Sequence, residues 1–300
     1  MISGNVPSHL IATAKTGFLT AVSKPVPAWS PIATMIDLTQ KNQTLVDLGA
    51  APMPLQNRGK FNAQDFIEKT MAVAPLSWEL AVWISGNAVK DDQTGSLLTK
   101  VRAAGGNYER HIAQQCFKAL NDGDATTNYG AGYDALSFFN NSHVDAGAAY
   151  QTVQDNLDTA SDLSMDNFEA MRIIAMSCRD DQGEFTNYNY DLLVVDPSNE
   201  REAANICNNP QDMGTANRAI NPYSGKVNYV VTPQFTAGAW VIAASNETTK
   251  PILIVMREAP HLEDAWKDPE APDGGRFYFN FTGRYNFYYG DWRLAHMGHT

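Results

Sequence analysis

Three places in the sequence carry side chains that could do chemistry. The first is His143, set in Phe138-Phe139-Asn140-Asn141-Ser142-His143-Val144-Asp145, where an imidazole could act as a general base. No nucleophile stands at a suggestive spacing from it, so a hydrogen-bonded structural histidine is the reading the residues favour. The second is Asp196, directly after the apolar run Leu192-Leu193-Val194-Val195. Enzymes of the α/β class place catalytic acids at such strand ends. Pro197 offers a simpler account, in which Asp196 caps a helix whose first residue is proline. The third is the pair His296 and His299, with Asp291 nearby. That spacing could seat a metal on a helix, but the alternating aromatics just before it argue for strand, and a solvated chain end is expected.

Other chemistry is absent from the sequence. There is no Gly-x-Gly-x-x-Gly and no Lys-Ser/Thr ending of a phosphate loop, no Gly-x-Ser-x-Gly elbow and no His-Glu-x-x-His. The C-terminal aromatics could stack nucleic-acid bases, yet such platforms come with basic grooves and only Arg276, Arg284 and Arg293 lie there. They read instead as core sheet. No cofactor, metal or catalytic residue is expected.

The elements that would hold these residues can be read from periodicity. Residues 1–31 open with Leu10, Ala14, Phe18 and Ala21 on one helical face and continue as Ser23-Lys24-Pro25-Val26-Pro27-Ala28-Trp29-Ser30-Pro31. The prolines enforce an extended stretch that buries little of its own surface, so an arm ordered by packing on a neighbour is one reading. From 32 to 90 the pattern is strand, long polar middle, strand, with Trp78, Leu80, Val82 and Ile84 alternating on the way out. This predicts a long β-hairpin centred on Pro52 to Thr70, where Gln56-Asn57-Arg58-Gly59-Lys60 has turn chemistry.

Leu97, Val101, Ala104, Tyr108, Ile112, Cys116 and Ala119 recur at helical spacing, predicting one helix over 94–122 with Gly105-Gly106 as a kink or close approach. A second helix is expected to start at Ser164 as N-cap, with Leu163 and Phe168 as a staple, and to end near Gly183. Strands follow at 191–195, 227–231, 240–244 and 252–256, making an inserted mixed lobe. Residues 259–275 are acidic and rich in proline and glycine. Phe277, Phe279 and Phe281 then alternate, a turn is expected at Gly283, and Tyr285, Phe287 and Tyr289 alternate again.

Bulk composition sets limits on function. A hydrophobic content of 44% over 300 residues can bury one large core or two moderate ones, and excludes a disordered chain. The net charge of −11 repels phosphate and argues against a sequence-reading nucleic-acid binder, though not against a container that merely tolerates DNA. Cysteines 116, 178 and 207 lack Cys-x-x-Cys spacing and read as reduced thiols. Lys15 and Thr16 interrupt the apolar run at Leu10-Ile11-Ala12, so no export signal is expected, and no apolar run of about 18 residues could span a bilayer. The Asn-x-Ser/Thr matches at Asn42, Asn140, Asn246 and Asn280 then carry no meaning.

A series of short segments begins with Leu48-Gly49-Ala50-Ala51-Pro52-Met53, Val89-Lys90-Asp91-Asp92 and Leu136-Ser137-Phe138-Phe139 leading to His143. It continues with Leu192 to Pro197, Asn221-Pro222 with Gly225, Val230-Val231-Thr232-Pro233, Trp240, and Tyr288-Tyr289-Gly290-Asp291-Trp292-Arg293. In this order the segments resemble the major head protein of Mu-like tailed phages, a branch of the Hong Kong 97 capsid fold. Val144 departs from the family, which tends to have proline after the histidine, and 52–70 matches poorly.

The resemblance implies an α+β shell subunit with an N-terminal arm at 1–31, an E-loop hairpin at 32–90, spine helix and P-domain at 91–189, an A-domain at 190–260 and a return to the P-domain at 261–300. It implies self-association as pentamers and hexamers around double-stranded DNA, with contacts to neighbours through Pro25, Pro27, Trp29 and Pro31 of the arm and Asn57, Arg58, Gly59 and Lys60 of the hairpin. Expected partners are a separate scaffold or protease protein, a portal protein and room for a decoration protein, with no membrane. The location is the virion, after assembly in the bacterial cytoplasm. Lys60 and Lys69, where some relatives cross-link, are taken as ordinary surface lysines. Two other readings are an α/β enzyme using Asp196 and His143, which requires the two to share a pocket, and a decoration or tail component.

Overall fold

A computed structural model describes residues 8–22, 27–47, 68–91, 96–126, 129–144, 152–211, 219–272 and 274–299. Helix α1 (Ser8–Val22) leads to strand β1 (Ala33–Asp37) and the antiparallel pair β2 (Gln43–Asp47) and β3 (Lys69–Val73). Strand β4 (Leu76–Ser85), the short α2 (Gly86–Asp91) and the long α3 (Ser96–Asn121) follow. A lobe then carries β5 (Leu157–Asp158), α4 (Met165–Met176), β6 (Leu192–Val195), α5 (Glu200–Asn208), β7 (Asn228–Val231) and β8 (Trp240–Ala243). Strands β9 (Ile252–Asp268), β10 (Arg276–Tyr289) and β11 (Ala295–Gly298) complete the described order.

Two sheets carry the structure. One has the order β1-β9-β10-β4 and the other β5-β11-β8-β6-β7. Strand β10 alternates buried and half-buried along its whole length, as an antiparallel strand with one face on the core should. Its buried aromatics meet α1 and α3: Phe18 stacks on Phe281 with centroids 4.1 Å apart and lies edge-on to Tyr108 at 5.7 Å. The central strands β11, β8 and β6 of the five-stranded sheet are buried on both faces. Leu192, Val194, Val241, Ala243, Ala295 and Met297 turn toward the first core, while Leu193, Val195, Trp240, Ile242 and Leu294 pack with Phe168, Met171 and Ala175 of α4 and Ile206 of α5. This double burial is why these strands read as unbroken apolar runs.

Several sequence expectations hold. Helix α3 spans almost the expected range, with Ala104, Tyr108, Ile112, Cys116 and Ala119 buried. Ser164 caps α4, accepting from Asn167 N at 3.2 Å, and Leu163 and Phe168 are both buried beside it. On α1, Ala14 and Phe18 are buried as expected.

Others are corrected. The hairpin at 32–90 is divided among three partners: only β2 and β3 pair with each other, β1 runs parallel to β9, and β4 pairs with β10. Most of the centre of that hairpin, residues 52–67 of 52–70, lies outside the described residues. Helix α4 ends at Met176, and Gly183, at φ 90°, turns a small hairpin in which Arg179 bridges Phe185. Strand 252–256, expected in the inserted lobe, belongs to the other sheet, and β9 runs on through acidic residues as far as Asp268.

There is no turn at Gly283. Strand β10 continues through it with a register shift against β9, and a Cβ there would lie 3.3 Å from Pro260. Proline has no N–H to give to a ladder, so the pairing is interrupted at Pro260 and glycine absorbs the crowding. Helix α3 runs unbroken through Gly105-Gly106, and a Cβ on Gly106 would meet nothing within 4 Å. No close approach at Gly106 explains that glycine.

Candidate functional site

Strand β10 and α3 are bolted together by polar tips on aromatic residues. Tyr108 on α3 donates its hydroxyl to Phe281 O at 2.9 Å, Tyr289 on β10 donates to Ala119 O at 2.9 Å, and Tyr285 OH lies 2.9 Å from His111 Nδ1. Burial, aided by the charge of Glu79, pushes the Tyr108 hydroxyl up to about 12, so it stays a donor. Burial also lowers His111. The aromatic positions legible in the sequence as core thus also fasten the long helix to its sheet.

His143 is fully enclosed. Its Nδ1 lies 2.5 Å from Asp134 Oδ2, its Nε2 lies 3.1 Å from Asn156 Oδ1, and its ring stacks on Trp292 with centroids 4.2 Å apart. The Asn156 amide orientation is fixed by its other bonds: Oδ1 accepts from Asn140 N at 2.8 Å, and Nδ2 faces the carbonyls of Phe138, Trp292 and Ala295 at 2.9 to 3.1 Å. Both imidazole nitrogens therefore face acceptors, and the ring holds the 134–143 loop to the 292–295 segment. Asn156 is the hub of this network, and nothing in its local sequence marks it, because its partners lie up to 139 residues away.

His296 corrects the expectation of a solvated chain end. It lies on β11, the strand between β5 and β8, with no exposed surface. Its Nε2 is 3.4 Å from Tyr190 OH and 3.9 Å from Cys178 Sγ, while Nδ1 is buried without a hydrogen-bond partner. Burial first, then the charge of His143, lower its pKa to about 3. The odd spacing of three on extended chain turns His296 and His299 to opposite faces, so they cannot chelate together. Among the described residues no group of three His, Cys, Asp or Glu side chains could hold a metal.

Asp196 does what the cap reading asks. Its Oδ2 accepts from Ser198 N at 2.9 Å and from the Ser198 hydroxyl, closing the turn that feeds α5. Neither Asp196 nor His143 lines the cleft of about 420 Å³ between β1, β2 and the Tyr188–Asp291–Arg293 cluster, nor the clefts beside the end of α3 and along it. The three cysteines are buried and free, and burial pushes Cys178 and Cys207 up to about 12, so none is a ready thiolate.

Of the residues expected at subunit contacts, Pro27, Trp29 and Pro31 come together in a tight turn. Ser30 N donates to Pro27 O at 3.1 Å, and Ile32 N and Ala33 N donate to Trp29 O at 3.0 Å. The stretch is folded here rather than extended, and Trp29 packs half-buried against the chain's own core. Pro25, Asn57, Arg58, Gly59 and Lys60 lie outside the described residues.

The described polar side chains singled out by the sequence serve as caps and cross-links between elements of the two larger sheets. The phage capsid protein family matches residues 68–295, and the chain belongs to it. Solved phage and particle shells share the fold, which is of the Hong Kong 97 type. The procapsid of bacteriophage JBD30 matches with a TM-score of 0.58 at 15% identity, over 98% of this chain and 76% of that one. The JBD30 capsid decorated with minor capsid protein trimers gives 0.54 at 18% identity, over 78% of this chain and 100% of that one. The capsid of the empty GTA particle gives 0.57 at 11% identity, over 100% and 92%. No curated protein matches the chain.

Proposed function

We propose that this chain is the major capsid protein of a tailed phage of the Mu-like branch, assembling as pentamers and hexamers into an icosahedral shell around double-stranded DNA. The observation that carries the reading is the capsid family match across 68–295, on a chain whose fold follows a solved procapsid subunit over 98% of its length. The net charge of −11 suits a wall that encloses a polyanion without gripping it.

In this reading the shell subunit does no catalysis and takes no cofactor. The P-domain is 91–189, with α3 as its spine helix, together with the return at 261–300, and the A-domain is 190–260. Residues 1–31 serve as the N-terminal arm and 32–90 as the E-loop region. Pro25, Pro27, Trp29, Pro31 and Asn57 to Lys60 are the proposed contacts with neighbours. A scaffold or protease protein and a portal protein act during assembly in the bacterial cytoplasm, and a decoration protein is a further partner, since the similar JBD30 capsid carries minor capsid protein trimers.

The test is negative-stain electron microscopy of the chain expressed alone and with its genomic neighbours, alongside mass by size exclusion. Closed shells or five- and six-fold rings are expected. A monodisperse monomer or dimer under every condition would overturn the reading.

A further inference from the structure

Strand β4 pairs with β10 along one edge, and among the described residues nothing pairs with its other edge. Long unpaired strands are normally guarded by lysine, proline, a bulge or a covering element. From Leu76 to Ser85 there is no lysine and no proline, Glu79 is the only charge, and the register with β10 runs without a shift. Ser77, Glu79, Ala81 and Trp83 are exposed on the face turned away from the core, Trp83 at 51%.

A second observation lies one strand further in. Arg276, level with Ser85, sits over the Trp83 ring at 4.2 Å, and its Nε is shielded without a hydrogen-bond partner. Asp268 stands level with Arg276 on β9, yet the guanidinium, stacked on the indole, makes no ion pair with it and can still take a carboxylate from outside the sheet.

We propose that the free edge of β4 pairs with β4 of a second copy of this chain, antiparallel about a two-fold axis through Ala81. The proposal rests on the reading of the chain as a shell subunit and names one contact between copies. An axis perpendicular to the sheet keeps both apolar faces on the same side and joins two four-stranded sheets into one. In this register Ala81 faces Ala81, Glu79 of one copy faces Trp83 of the other, and Ser77 faces Ser85. Each Glu79 then stands beside a Trp83–Arg276 stack, so the guanidinium gains a carboxylate partner twice per dimer. Centring the axis on Leu80 instead sets the two Glu79 side chains diagonally together and leaves Arg276 unpaired, so the charge pattern selects Ala81.

The test uses cysteine pairing in the full chain, whose native cysteines are buried and do not compete. In assembled shells, Ala81→Cys should give a disulfide-linked dimer on mild oxidation, with the cross-linked peptide found by mass spectrometry. Ser77→Cys, which does not face itself, should stay monomeric. Ala81→Lys sets two ammonium groups face to face at an exposed position and should lower shell yield about tenfold with unchanged subunit melting. Glu79→Arg and Arg276→Glu should each lower yield, and the double variant should recover it. Normal shells from Ala81→Lys, together with no disulfide from Ala81→Cys, overturn the pairing and leave the shell reading intact. Wild-type chain that never assembles counts against the shell reading, and the pairing is then decided by whether the Ala81→Cys variant links two copies in the soluble protein.

Discussion

The imidazole of His143 lies flat on the indole of Trp292, the planes 3° from parallel, while its Nδ1 is held against the Asp134 carboxylate 2.5 Å away. Stack and ion pair together tie a loop that follows α3 to a segment some 150 residues later in the chain, in a site with 0% and 4% side-chain exposure. Removing one partner from a buried pair leaves the other charge uncompensated, at a cost of about 3–5 kcal/mol. Asp134→Asn should therefore lower the unfolding free energy from urea titration by an amount in that range. A loss under about 1 kcal/mol would show that the pair contributes little.

Acid stability should depend on His296. Its pKa falls from the usual 6.5 to about 3 in the folded chain, so between these values the unfolded chain binds a proton that the folded chain refuses. Its contribution is complete above 6.5 and is lost as pH falls toward 3, at up to about 1.4 kcal/mol per pH unit. His296→Leu should flatten the slope of unfolding free energy between about pH 6 and about pH 4 by up to one proton. An unchanged slope would remove His296 from the account.

Helix α1 packs on the core of its own chain. Phe18 has no exposed surface and stacks on Phe281, so Phe18→Ala opens a cavity in the first core and should cost about 3–5 kcal/mol in denaturant titration. Deleting residues 1–31 should likewise destabilise the monomer before any assembly defect is read. A truncated chain that melts like wild type would show that residues 1–31 add nothing to the core of their own chain.

Two glycine substitutions should act with opposite signs. A Cβ on Gly298 would lie 2.5 Å from the fully buried indole of Trp240, and Gly298→Ala should destabilise by about 1–3 kcal/mol. A Cβ on Gly106 meets nothing, so Gly106→Ala should stabilise α3 by about 0.5–1 kcal/mol. Thermal melting of the two variants separates the claims, and equal signs would refute the packing seen at one of them.

What spacing reveals is local. The period along α3, the Ser164 and Asp196 caps and the alternation of β10 each depend on neighbours within a few residues, and each is read from the residues alone. Period tells which face a strand buries and is silent on which strand lies beside it. Hence spacing groups β1 with a hairpin, while its partner is β9, more than 200 residues on. The burial of His296 escapes for a related reason: two histidines near the end of the sequence look solvated, and only the pairing of β11 with β8 and β5 encloses the first of them. The capsid assignment is legible because short motifs keep their order even where pairing cannot be deduced.

The order of strands also bears on when the subunit can fold. The latest strands in sequence, β10 and β11, are interior strands of their sheets, β10 between β9 and β4 and β11 between β5 and β8. Neither sheet can close until these residues have left the ribosome, and at roughly 5–20 residues per second a nascent chain spends many seconds with both sheets incomplete. Pairings of such long sequence separation also make folding intrinsically slow. In a chain of this topology both sheets gain an interior strand only when residues through 298 are free to pair.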